Sequence, residues 1–396
     1  MQRNKHTGAT AGVKDKNKPS PRRGSMVGCG SFSNVVVMPN PAACSGQDKL
    51  VAQKRFTPDP MWPMQLQAST LVEISALRLL DGIGGLVPCY DVTVDTGRLK
   101  KASDAYKNYT RHLEQYRDGK CTKAQMARAK EELRRAHESP TRATMNMPYF
   151  PQNSLMHFLK TRRTGASPVE AVRWGRQLLT ALAAMEGTVM HRDIKSENIL
   201  VRTSSADSTV DVVLCDFGLA SIRATPGLVV DDEPPQLHRS RNVQTIWYRA
   251  PEVFLGTGDY TEKVDVWSVG ITLVEAMWGC RCPVWRLCPK GNGITNAECC
   301  TEVGVLMCMW QAFGTPVYGG HAAELAAMAR HSGMTATLHV RFPPGFRLPL
   351  PKGTPPELRK ALQSMLSLNP TERCTAAQAL ELLAAAQPPK PRPRTT

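Results

Sequence analysis

From Met26 onward, short apolar stretches bounded by turn residues predict strands over 27–28, 34–38 and 49–54. Over about 63–80 the spacing of Leu66, Leu71, Ile74, Leu77, Leu79 and Leu80 predicts a helix. Residues 88–94 alternate like a strand and are broken by Asp95-Thr96-Gly97. Residues 100–138 read as a helical hairpin. Tyr106, Tyr109, Leu113 and Tyr116 keep helical spacing, Asp118-Gly119 interrupts it, and Met126, Ala129 and Leu133 resume it. A short strand over 144–147 follows, and then a mostly helical half. Its clearest helix opens at Ser167-Pro168-Val169-Glu170, which supplies an N-cap, proline at the first helical position and glutamate at N3; Gly187 stops it. No internal repeat is evident. A small β-rich half thus precedes a larger α-rich half.

The 396 residues are enough for about two to three domains. With 42% hydrophobic residues and a mean hydropathy of −0.30, the body can bury a large core and is not intrinsically disordered. No apolar run approaches the ~18 residues of a spanning helix, so no membrane span is expected. Residues 1–23 are polar and basic, without the apolar stretch of a secretory signal. The 12 cysteines are therefore expected to be reduced, in nucleus or cytoplasm.

The formal charge of +16 sits in three places. Residues 1–25 carry about +6, residues 98–142 about +7, and Lys390, Arg392 and Arg394 the remaining +3. The body is close to neutral, so direct nucleic-acid binding through a basic core is not expected.

The strongest chemical signal is His191-Arg192-Asp193-Ile194-Lys195-Ser196-Glu197-Asn198, followed by Asp216-Phe217-Gly218 and Ala250-Pro251-Glu252. Asp193 is suited to accept the proton of an attacking hydroxyl, and Lys195 to lie against a transferred phosphoryl group. Asn198 and Asp216 are hard oxygen donors suited to Mg²⁺, which needs few protein ligands when phosphates supply the rest. In this order, the three motifs resemble the eukaryotic protein kinase superfamily over about residues 27–383. The resemblance implies an α+β, two-lobed protein kinase fold with a small β-rich N-lobe, a larger α-helical C-lobe and ATP in the cleft. The expected organisation is a disordered basic arm (1–25), an N-lobe (26–150) with a helical insert at about 98–142, a C-lobe (151–386) and a Pro/Arg-rich tail (387–396).

Upstream, Gly28-Cys29-Gly30-Ser31-Phe32-Ser33-Asn34-Val35, with Val27 ahead of it, is similar to the family's glycine-rich loop, except that Ser33 replaces the third glycine. Two glycines still let backbone N–H groups approach phosphates, because no Cβ intervenes. Val51-Ala52-Gln53-Lys54 resembles the strand that carries the phosphate-clamping lysine, so Lys54 takes that role and Ala52 lines the ATP site. Its expected helical partner is Glu73. The competing reading of Thr70-Leu71-Val72-Glu73 as a capping box is disfavoured by Leu66 and Gln67, which already continue the helix. The hinge falls at Met147-Pro148-Tyr149-Phe150. With Met147 as gatekeeper, Pro148 keeps the carbonyl that adenine needs and loses only an unused N–H, while Phe150 supplies the next backbone N–H.

Val243-Gln244-Thr245-Ile246-Trp247-Tyr248-Arg249-Ala250-Pro251-Glu252 resembles the segment of cyclin-dependent and related kinases that receives the residue after the phosphorylated one, the P+1 residue. Ser69-Thr70-Leu71-Val72-Glu73-Ile74-Ser75 is similar to their cyclin-facing helix. By that resemblance, Thr245 and Arg249 shape a P+1 pocket favouring proline, and Thr245 with Lys195 indicates Ser/Thr acceptors. Asp265 ties the catalytic-loop backbone from below, Glu252 and Arg373 form a buried pair, and a cyclin-like activator would sit on the Glu73 helix. Ser240 occupies the position of the activating phosphothreonine. Of the arginines that would hold its phosphate, Arg192 is present, whereas Val72 and Ser221 replace the other two; Arg223 is a substitute and Asp231-Asp232-Glu233 a stand-in for the phosphate itself. Activation is therefore expected to depend less on phosphorylation than in typical members.

The insert reads as a solvated decoration or as a docking surface for an acidic partner. With the Met147-Pro148-Tyr149 hinge, it is also similar to the kinase that fires replication origins, a second candidate group. Cys280, Cys282, Cys288, Cys299, Cys300 and Cys308 lack paired zinc-ligand spacing and read as scattered thiols; Cys215 reads as a small core residue. The leading expectation is an ATP- and Mg²⁺-dependent Ser/Thr kinase acting on protein substrates. A non-catalytic scaffold is the alternative from another class, although Lys54, Asp193 and Asp216 are all present.

Overall fold

The computed structural model describes residues 26–29, 33–40, 49–56, 66–137, 143–162, 164–204, 209–223, 243–256, 260–279, 301–316 and 333–384, with 325, 327, 329 and 330. The arm 1–25, Gly30-Ser31-Phe32, Asp231-Asp232-Glu233, Ser240, Cys280, Cys282, Cys288, Cys299, Cys300 and the tail 387–396 lie outside the described residues.

The first half is a five-stranded antiparallel sheet. It comprises β1 (Met26–Cys29), β2 (Ser33–Pro39), β3 (Leu50–Phe56), β4 (Asp91–Val94) and β5 (Ala143–Pro148), in the order β1-β2-β3-β5-β4. Register pairs Val35 with Lys54 and Val37 with Ala52 on one side of β3, and Ala52 with Met147 on the other. Because side chains alternate along a strand, Ala52, Lys54 and Phe56 share one face of β3, and all three are buried.

Helix α1 (Ala68–Leu79) covers that face through Thr70, Glu73, Ala76 and Leu77, which recur at helical spacing. It opens at Gln67, so Glu73 lies well inside it and no capping box forms at Thr70. β4 starts at Asp91, later than the expected 88. The preceding stretch pairs instead with the second half, as Leu214 N–H donates to Gly85 O (2.8 Å) and Val87 N–H to Leu214 O (2.9 Å). The strand ends at Val94, as expected from the break at Asp95-Thr96-Gly97, and a helix enters there at Thr96.

The insert is a hairpin of α2 (Thr96–Arg117) and α3 (Lys123–His137). Buried Ala105 and Ala129 are small enough to let two helix backbones approach closely. Gly119, with φ 70°, turns the chain between the helices in a conformation that suits glycine.

The second half is helical. It contains α4 (Leu155–Arg162), α5 (Pro168–Met185), α6 (Pro251–Phe254), α7 (Lys263–Met277), α8 (Glu302–Phe313), α9 (Pro356–Met365) and α10 (Ala376–Ala384). The expected capping box closes α5: Glu170 N–H donates to Ser167 Oγ, and Ser167 N–H to Glu170. In α7 every residue from Val264 to Met277 is buried, the pattern of a helix enclosed on all sides.

Buried Arg373 donates to Glu252 at 2.6 and 2.9 Å and lies over the Trp267 ring at 5.0 Å. Breaking such a pair costs about 3–5 kcal/mol, which fixes α6 against the segment after α9. Two short ribbons face the sheet: β6 (Val189–Met190) with β9 (Ser221–Ile222), and β7 (Ile199–Thr203) with β8 (Val210–Leu214). No helix among the described residues is long and apolar enough to cross a membrane.

Candidate active site

Between the sheet and the helical half lies a cleft of about 650 Å³. Its roof carries Val27, Gly28, Ser33, Val35 and Ala52, and the hinge closes one side with Met147 through Phe150. Asn34, expected among the nucleotide-binding residues, is exposed on β2 and does not line the cleft. Strand alternation turns its side chain away from the face shared by Ser33 and Val35. Cys29 pairs with Asn34 at the end of β1. Phe150 lines the cleft; its carbonyl accepts from Asn153 N–H (3.0 Å), and the Arg202 guanidinium lies 5.2 Å from its ring centre.

At the back, β3 and α1 bring Lys54 to Glu73. The ammonium donates to both Glu73 carboxylate oxygens, at 2.6 and 2.8 Å, and to Asp216 Oδ1 at 3.0 Å. Burial alone would lower the Lys54 pKa, but the carboxylates of Glu73 and Asp216 outweigh it and hold the ammonium above the usual lysine range. Burial also works against ionisation of Asp216. Lys54, with His191 and Lys195, overcomes it, so this carboxyl sits below its ordinary value. Asp216 adopts φ 67°, a left-handed conformation uncommon outside glycine and turns. The next residue, Phe217, is fully buried edge-on to His191 at 4.7 Å.

The catalytic loop is held from below by α7. Asp265 accepts from His191 N–H (2.7 Å) and Arg192 N–H (2.9 Å). Burial raises the Asp265 carboxyl, against the pull of His191 and these backbone donors. The Asp193 carboxylate receives four hydrogen bonds. Lys195 Nζ (2.7 Å) and Asn198 Nδ2 (2.9 Å) donate to Oδ2, while Thr245 N–H (3.1 Å) and Thr245 Oγ1 (2.9 Å) donate to Oδ1. Lys195 Nζ also reaches Thr245 Oγ1 at 2.8 Å. Asp193, Lys195, Asn198, Asp216 and Thr245 thus converge on one end of the cleft.

Asn198 spends its amide nitrogen on Asp193, so its amide oxygen is the end left for a cation. Asp216 engages Lys54 through Oδ1 only. One neutral and one anionic oxygen fit Mg²⁺, whose remaining positions phosphates and water complete. Among the described residues no group of three or more His, Cys, Asp or Glu forms a self-sufficient metal site. Cys308 lies buried in α8.

Arg249 does not line the cleft. It stands behind the pocket, donating to Gln244 O (3.2 Å) and Glu302, with its guanidinium 5.0 Å from the Phe254 ring centre. Cys215, expected in the core, instead lines the cleft; its thiol donates to Asn198 O at 3.3 Å, and burial pushes its pKa up. Lining residues outside the quoted motifs include Phe56, Val87, Pro151, Asn153 and Leu200. Leu200 could have been found as the alternate residue after Asn198 on β7; Val87 carries no local signal.

The family model of the protein kinase domain matches residues 22–382. The putative cyclin-dependent kinase F-2 of Oryza sativa subsp. japonica is 36% identical over 157 residues, covering 37% of this chain and 44% of the relative. Mitogen-activated protein kinase 2 of Pneumocystis carinii is 31% identical over 206 residues, covering 52% of this chain and 51% of the relative. The chain spans about half the length of these curated relatives. A chain in the solved structure of the CAK complex from Chaetomium thermophilum bound to ATP-γ-S has a TM-score of 0.55 at 22% identity, over 91% of this chain and 88% of that one, a likeness of fold.

Proposed function

This chain belongs to the protein kinase family, and from that membership and the geometry of its cleft we propose that it transfers the γ-phosphoryl group of ATP to serine or threonine hydroxyls of proteins, before proline. The observation that carries the reading is the assembled Lys54–Glu73 pair with Asp216 beside it, at 2.6 and 3.0 Å. A scaffold would have no need to hold three charges together at the back of a cleft.

The acceptor hydroxyl attacks the γ-phosphorus, the bond to the β-phosphate oxygen breaks, ADP leaves and Asp193 takes the proton. All four donors to Asp193 point at a carboxylate with about four acceptor sites, so a hydroxyl must displace one of them. Lys195, about one-fifth exposed, is the donor free to swing toward the phosphates, and that movement opens Oδ2. Lys54 would neutralise the α- and β-phosphates, while Asn198 and Asp216 would hold Mg²⁺. The ion, when bound, supplies charge neutralisation at the phosphates.

The preference for proline rests on the P+1 segment. Gln244 O accepts from Arg249 Nη2, so it is turned away from an incoming peptide. A residue with an N–H would lose water there and find no acceptor, whereas proline has no N–H to satisfy.

A cyclin-like partner on α1 is supported by Leu71 and Leu79, about half exposed on the side of α1 opposite Glu73. A relative named as a putative cyclin-dependent kinase adds to that support. The experiment is steady-state phosphorylation of a Ser/Thr peptide library by the purified protein with ATP and Mg²⁺. Incorporation concentrated on Ser-Pro and Thr-Pro peptides, and abolished by EDTA, is expected; incorporation without regard to the following residue would overturn the proline-directed reading.

A further inference from the structure

The hairpin of α2 and α3 leaves the sheet at its β4 edge, and its helices pack chiefly against each other. Buried Ala105 and Ala129 mark the line of contact. Asn108 and Glu132, each three residues further along its own helix, are joined by a hydrogen bond from Asn108 Nδ2 to Glu132 Oε2 (2.9 Å). In this antiparallel pair, equal offsets from the two alanines therefore fall on the same side. A helix turns by about 100° per residue, so offsets of three and of one or four lie to opposite sides of the contact line. Asn108 and Glu132 mark one side of the hairpin; Tyr106, Tyr109, Lys130 and Leu133 mark the other.

The two sides differ in chemistry. On the second, half-buried Tyr109, Leu113, Met126 and Leu133 form an apolar strip in the groove between the helices, and Tyr106 beside it is 54% exposed. Along the α3 border of that strip, helical spacing sets Lys123, Lys130 and Arg134 in one exposed row. Lys123 and Lys130 have no ion pair among the described residues, while Arg134 reaches Glu131 at 2.7 Å. The acidic residues Asp104, Glu114, Glu131 and Glu132 all fall outside this side.

We propose that this side of the hairpin is a docking surface for an acidic, amphipathic helix of a protein partner. The partner's apolar residues cover the strip, and its carboxylates lie along Lys123, Lys130 and Arg134. Successive charges in that row are about 10 and 6 Å apart along the axis, the spacing of carboxylates at i, i+7 and i+11 of a helix laid beside it. A nucleic-acid backbone would match the charges and leave the strip uncovered. A bilayer would find little to insert, because only Tyr106 stands clear of the groove. A second copy of the same side would bring like charges together. The inference is separate from the phosphotransfer reading, since docking here needs neither ATP nor the cleft.

The test is fluorescence anisotropy of a labelled helical peptide, with Glu at i, i+7 and i+11 and leucines on the adjoining flank, titrated with the whole protein. Saturable binding is expected, weakened about tenfold or more in Lys123→Glu/Lys130→Glu and about threefold in Tyr106→Ala. Lys107→Glu/Arg128→Glu makes the same change of charge at exposed positions away from this side, and should stay within about twofold of the wild type. Absence of saturable binding would overturn the inference. So would equal losses in the two charge variants, or equal affinity for the peptide with Gln in place of Glu. Tighter binding of a DNA duplex or of phosphatidylserine vesicles, lost in Lys123→Glu/Lys130→Glu, would assign the surface to phosphates and overturn it as well.

Discussion

Arg192 donates through Nη1 to the Tyr260 hydroxyl at 3.1 Å, and the rest of its guanidinium is engaged as well, with Nε on Leu219 O (2.8 Å) and Nη2 on Ala220 O (3.1 Å). This is the arginine that would receive a phosphate on Ser240. Arg223, the substitute partner, is paired with Glu262 at 2.7 Å. The two arginines that the resemblance assigns to that phosphate are thus engaged by the protein's own groups while the Lys54–Glu73 pair is already formed.

Ser240→Ala should accordingly retain phosphotransfer activity within about tenfold of the wild type, because the phosphate would have few free charge-assisted donors to order. Steady-state rates on a Ser-Pro peptide check it, and a hundredfold loss would show that phosphorylation at Ser240 is required.

Removing the Lys54 ammonium leaves Glu73 as an unpaired buried carboxyl. Lys54→Met should lose more than about a hundredfold in kcat, since phosphate neutralisation goes with it. It should also be less stable by about 3–5 kcal/mol at neutral pH. Without Lys54 nothing offsets the burial that raises Glu73. A carboxyl raised in the folded state loses stability as pH climbs, so the deficit should widen between pH 5 and pH 8. Urea unfolding of both proteins at the two pH values measures it; a deficit independent of pH would contradict the pairing.

A different buried carboxyl, on α7, is pushed toward neutrality. Glu275 on α7 accepts from Tyr248 Oη (2.6 Å) and Ser196 Oγ (3.1 Å), yet burial, helped by Glu197, pushes its pKa up from 4.5 to about 7. The folded state therefore holds a proton that the unfolded chain has released. The stability contributed by this group is complete below about pH 4.5 and is lost as pH rises to about 7, by roughly 3 kcal/mol in total. In Glu275→Gln that component disappears. Relative to the wild type, the variant should lose about 3 kcal/mol less between pH 4.5 and pH 8; parallel curves for the two proteins would refute the assignment.

The residues proposed to perform the chemistry were legible because their functional groups are fixed by the proposed reaction. A proton acceptor, an ammonium and two oxygen donors leave little choice of side chain, and their local spacing in His191–Asn198 and Asp216–Gly218 is set by short loops. The capping box at Ser167 was legible for a similar reason, being a contact between residues three apart. What escaped depends on distant partners. β4 begins late because Gly85 and Val87 pair with Leu214, and nothing near residue 88 announces that. Gln244 reads as one polar residue in a motif until α7 supplies Ser268 and Val264. Asn34 is a different failure: the two-residue period of a strand already placed it opposite Ser33 and Val35.

Asp193 and the groups that hold it are central to the proposed phosphotransfer. Transfer of labelled γ-phosphate to a Ser-Pro peptide by the purified wild type and by Asp193→Asn is the measurement. Asparagine keeps the size and several of the hydrogen bonds but cannot take the proton, so the rate should fall by about 10²–10⁴ while the melting temperature changes little. Equal incorporation by the two proteins, or none by a folded and nucleotide-bound wild type, would contradict the assignment of this cleft as a phosphotransfer site.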